Sequence, residues 1–76
     1  MSGARPERLI YMANQIGRFF ATQRHQNTAD SVADHLLKFW DPRMRDAIIA
    51  KVDDESLQLD PPVREAVRML RDRQAA

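Results

Sequence analysis

The stretch Ala29-Asp30-Ser31-Val32-Ala33-Asp34-His35-Leu36-Leu37-Lys38-Phe39-Trp40-Asp41-Pro42-Arg43-Met44-Arg45 decides the fold. Ala29, Val32, Leu36, Phe39 and Trp40 recur at the helical period and mark a broad apolar face, with Leu37 at its edge. Asp34 and Lys38 stand four apart on the other side, a spacing expected to form a solvent ion pair. Asp41-Pro42 then ends one helix and starts the next, because Asp caps a helix and Pro fits its first turn. Two helices joined by so short a connection leave no place for a strand.

Reading outward from that junction, a first helix is expected over about Pro6 to Gln23. Leu9, Ala13, Ile16 and Phe20 form its core line, with Met12 and Phe19 on one flank. The polar run Arg24 to Thr28 is the connection, and Asn27 or Thr28 caps the second helix. A third helix, about Pro42 to Val52, places Met44, Ile48 and Val52 in line, and Asp53-Asp54-Glu55 breaks it. Asp60-Pro61-Pro62 repeats the start signal for a fourth helix carrying Val63, Ala66, Val67 and Leu70. The expectation is an all-α single domain over residues 1–76, built of three to four short helices. Its ordered core is expected over about 6–71, with frayed termini.

Composition narrows the function classes. Twelve basic and 11 acidic residues give a net charge of +1, too even for the electrostatic footprint of a nucleic-acid binder. The absence of cysteine excludes disulfides, thiolate metal sites and cysteine nucleophiles. No apolar run nears the ~20 residues that span a bilayer, and Met1 to Pro6 precedes no signal-like apolar region. A soluble, cytoplasmic chain is expected. A chain of 76 residues also buries a small core, so a partner subunit is expected to help stabilise it.

Little in the sequence looks catalytic. His25 and His35 lack the spacing of a metal pair, Ser2, Ser31 and Ser56 have no neighbouring base, and Gly3 and Gly17 are too isolated to cradle phosphate. Ten of the 12 basic residues are arginine, the residue of bidentate contacts and interface anchors. Arg64, Arg68 and Arg71 share one side of the fourth helix, as a solvated face or a dock for an acidic partner. A helix-turn-helix reading of the second and third helices would use Arg43, Arg45 and Lys51. Asp46 and the acids that follow oppose it. The apolar stripes of the first two helices are wider than a surface helix needs. Either the other helices cover both flanks, or one flank waits for a partner.

Three blocks carry a family resemblance: Met12-Ala13-Asn14-Gln15-Ile16-Gly17-Arg18-Phe19-Phe20, His35-Leu36-Leu37-Lys38-Phe39-Trp40-Asp41-Pro42-Arg43-Met44-Arg45, and Leu59-Asp60-Pro61-Pro62-Val63-Arg64-Glu65-Ala66-Val67. Through them the chain resembles the delta subunit of NAD-dependent, molybdenum-containing formate dehydrogenase. The resemblance implies an accessory subunit that binds the large catalytic subunit and supports assembly or stability of the complex. It also implies that molybdenum-pterin, iron–sulfur clusters, FMN and NAD belong to the partner subunits, with no catalytic, cofactor or metal residue in this chain. A transient assembly chaperone and a small nucleic-acid-binding domain remain the alternatives, and self-association through the apolar flank stays open. By residue chemistry the expected docking face comprises Asn14, Gln15, Arg18, Phe19, His35, Phe39, Trp40, Arg43 and Arg45. Asn14, Gln15 and Arg18 are read as polar groups free to meet a partner. Trp40 is read as an anchor or, alternatively, as core.

Overall fold

A computed structural model describes residues 5–23 and 27–75; the expectations placed on Met1 to Ala4, on His25 and on the rest of 24–26 lie outside the described residues. Four helices follow in order: α1 (Pro6–Ala21), α2 (Thr28–Phe39), α3 (Pro42–Ile49) and α4 (Pro61–Ala75). The described residues contain no strand. The all-α expectation holds.

The helix starts follow from local chemistry. Asn27 caps α2 by accepting the Asp30 N–H at 3.0 Å, and Asp41 caps α3 by accepting the Met44 N–H at 3.0 Å. Asp60 behaves differently from the expectation. Its backbone carbonyl accepts from Val63 and Arg64, but its carboxylate turns away to pair with Arg18 at 3.4 Å. Removing the Asp41 carboxylate is therefore expected to cost about 0.5–2 kcal/mol, whereas Asp60→Ala loses an exposed pair worth about 1 kcal/mol at most. Thermal unfolding of the two variants measures the difference. Equal melting points for Asp41→Ala and the unmodified chain would show that this cap contributes nothing.

The core gathers Leu9, Ile10 and Ala13 from α1; Ala29, Val32, Ala33 and Leu36 from α2; Trp40 at the junction; and Ile48 from α3. Val63, Ala66, Val67 and Leu70 complete it from α4, as the periodicity predicts. On α1 the buried line is rotated from the expected one. Ile10, Asn14 and Gly17 are buried, while Ile16 and Phe20 are only partly covered. Gly17, with no side chain, admits Val63 of α4 against this face. A Cβ built on Gly17 would lie 2.3 Å from Val63 Cγ2.

Between α3 and α4 the chain is irregular but anchored. The third helix ends at Ile49, earlier than expected, yet Val52 and Leu59 are buried. The Arg64 guanidinium donates to the Val52 carbonyl and, at 2.8 Å, to that of Leu57. Arg68 and Arg71 reach the two carboxylate oxygens of Asp53 at 3.4 and 2.9 Å. The arginine side of α4 thus meets its acidic partner within its own chain. At the tip of this segment the Ser56 hydroxyl and N–H both donate to Asp54 Oδ1, which holds that carboxyl below its ordinary range. A carboxyl held low favours the fold above its unfolded pKa, and the contribution fades as pH falls through the folded one.

The fourth helix continues past Arg71 to Ala75. Cross-helix contacts support the extra turn: Arg73 pairs with Asp34 at 3.5 Å, and Gln74 accepts from Arg45 at 3.3 Å. Asp34 therefore pairs with α4, and the expected Asp34–Lys38 pair does not form. A competing cation one helix away takes the carboxylate.

Candidate partner-binding surface

The edge where α1 meets α2 carries a run of aromatic rings. Phe19 and Phe20 meet edge to face with centroids 5.2 Å apart, Phe20 meets His35 at 5.9 Å, and His35 lies 4.7 Å from Phe39. The inner two rings, Phe20 and His35, are partly covered, while Phe19 is 61% and Phe39 72% exposed. Two phenylalanines this open to water on one edge make it the candidate contact surface of the described residues. Beside them Phe20, Ser31, Asp34, His35, Lys38 and Phe39 line a shallow, open cleft of about 200 Å³.

Of the nine residues expected on the docking face, the structure brings Phe19, His35 and Phe39 onto this edge. The other six divide. Trp40 is 5% exposed and belongs to the core, the alternative considered for it. Asn14 is not free. Its Nδ2 donates to the Gln58 carbonyl at 2.7 Å, and its Oδ1 accepts the Asp60 N–H at 2.9 Å. The side chain ties α1 to the start of α4, and buried polar groups are satisfied in this way because leaving them unpaired is costly. Arg45 is likewise engaged. It donates to the carbonyls of Leu37 at 3.2 Å and Trp40 at 2.6 Å, filling acceptors that the end of α2 leaves open.

Gln15 is exposed and donates to the Tyr11 hydroxyl at 2.8 Å, and Arg18 is held by Asp60. Neither polar end is free in the sense expected. Of these six, Arg43 alone is exposed with no side-chain hydrogen bond or ion pair to the described residues. Two residues of the edge depart from the sequence expectation, which puts Phe20 on the core line and Lys38 in a solvent pair. Among the described residues Lys38 has no ion pair, since Arg73 holds Asp34.

The family model of the NADH-dependent formate dehydrogenase delta subunit, FdsD, matches residues 8–67. That span contains α1 from its third residue, all of α2 and α3, and the first half of α4, with the whole aromatic edge. The chain belongs to the FdsD family. No curated protein and no solved structure matches it. The donor set of this chain does not fit an iron–sulfur cluster. The sequence has no cysteine for an iron–sulfur cluster, and the described residues bring together no three His, Asp or Glu side chains that could hold a metal. No helix among the described residues is long and apolar enough to cross a membrane.

Proposed function

We propose that this chain is a non-catalytic accessory subunit of a cytoplasmic, NAD-dependent formate dehydrogenase. It docks on the large molybdenum-carrying subunit and supports assembly or stability of the complex. Formate is oxidised to carbon dioxide in that partner, and electrons pass to NAD through molybdenum-pterin, iron–sulfur and FMN groups held by the larger subunits. Family membership supports the assignment to the complex. The observation that carries the docking role is the open aromatic edge of Phe19, Phe20, His35 and Phe39.

The energetics favour this use of the edge. Fully burying a phenylalanine that stands in water contributes about 1.5–3 kcal/mol, so covering Phe19 and Phe39 supplies a substantial part of a specific association. The nucleic-acid alternative loses support, because Arg45 is turned inward onto carbonyls and leaves only Arg43 and Lys51 of the three expected phosphate contacts.

The test is to produce the dehydrogenase subunits with and without this chain. The expected result is that the purified, active complex retains the chain at one copy per large subunit, and that omitting it lowers the yield of active complex several-fold. A complex that forms at full yield without the chain, and does not retain it when it is supplied, overturns the proposal. A chain that raises the yield but is absent from the purified complex replaces the stable subunit with the assembly chaperone.

A further inference from the structure

The geometry points to the chemistry of the surface that covers the α1–α2 cleft: a segment of the large subunit that presents an apolar side chain flanked by a carboxylate. This rests on the docking role proposed above and specifies what the docking edge reads.

Charge around the cleft carries the inference. Asp34 lines the cleft and Asp41 follows Phe39 by two residues, and both carboxylates are engaged within the chain. Arg73 holds Asp34 at 3.5 Å, and Asp41 accepts the Met44 N–H at the start of α3. The carbonyls at the end of α2, which would otherwise carry negative partial charge, are covered by the Arg45 guanidinium. Lys38 lines the cleft next to Phe39, is exposed, and has no ion pair or hydrogen bond among the described residues. Lys38 is therefore the charged group of the cleft lining that is left without an ion pair. An apolar group on Phe20, His35 and Phe39 with a carboxylate against Lys38 satisfies both features together.

A second copy of this chain fits less well. The exposed parts of Phe19 and Phe39 amount to on the order of 250 Å², so any partner must also cover surface beyond the two rings to reach the roughly 800 Å² per side of a stable interface. A two-fold contact with its axis at Lys38 would set the two lysines against each other, which like charge opposes, and the acid that lines the cleft, Asp34, is held by Arg73. A larger partner can supply a pocket for the protruding rings and the missing carboxylate.

The experiment measures binding of the full-length chain to the purified large subunit at low and high salt. Lys38→Glu is expected to weaken binding at least tenfold at low salt, and Lys38→Gln about threefold. Asp34→Asn, which releases Arg73, is expected to tighten it about twofold. All three differences should shrink in high salt, because exposed charges are screened. Circular dichroism checks that each variant keeps its helices, and Lys38→Gln adds no charge opposed to the α2 dipole. Unchanged or tighter binding by Lys38→Glu, with the unmodified chain bound, overturns the carboxylate and leaves the docking role standing. Failure of the unmodified chain to bind overturns both.

Discussion

Replacing Phe19 and Phe39 together with serine is expected to weaken association with the large subunit by about 10²–10⁴-fold, while the helices and the fold survive. The size follows from burial: two rings at about 1.5–3 kcal/mol each give 3–6 kcal/mol if the partner covers both fully. Aromatic residues at the centre of an interface commonly lose at least that much per pair when truncated. The fold is expected to tolerate the change because 61% of Phe19 and 72% of Phe39 already face water. What the fold loses is one edge contact with Phe20 and one contact with His35, worth about 0.5–1.5 kcal/mol each at most. Tyr11, 62% exposed but outside the ring contacts, supplies the control. Tyr11→Ser should bind as the unmodified chain does. If it loses as much affinity as the double variant, the docking face lies along the outer side of α1 and the aromatic edge is incidental.

The residues of that edge show where sequence reasoning ends. Periodicity located Phe19 on a flank of α1 and His35 and Phe39 on a flank of α2, because each is a local property of one helix. That the two flanks meet depends on the crossing of α1 and α2, which no local pattern encodes. Asn14 departs from its expectation for the same reason. Its partners are a carbonyl and an N–H 44 and 46 residues away, and backbone groups leave no mark in a sequence. Arg45 is a second case, since the carbonyls it fills belong to a helix end that any residues could form. The starts of α2 and α3 were legible, because Asn and Asp caps act within three residues. Asp60 carries the same signal, yet its side chain is used elsewhere. Its carboxylate follows Arg18, a cation brought near only by tertiary packing.

The largest effect on stability is expected at Gly17, where helix propensity and packing oppose each other. In a helix interior, Gly→Ala gains about 0.5–1 kcal/mol by reducing the backbone freedom lost on folding. Here the added Cβ would lie 2.3 Å from Val63 Cγ2, and Val63 is fully buried. A β-branched valine has one favoured rotamer in a helix, so its methyl cannot swing aside cheaply. Forcing an extra carbon into such a contact costs about 1–3 kcal/mol, and more where backbone must shift. Packing is expected to win. Gly17→Ala should lower the melting temperature by several degrees in a domain where 1 kcal/mol corresponds to about 4–8 °C, and Gly17→Val should go further toward unfolding. Combining Gly17→Ala with Val63→Ala removes the clashing methyl and leaves the Val63 Cβ position 3.9 Å from the new carbon, an ordinary contact. The double variant should then be less destabilised than the sum of the two single changes, by about 0.5–3 kcal/mol of coupling. Additive losses, or a Gly17→Ala chain that melts above the unmodified one, would show that α4 does not rest against α1 at this point.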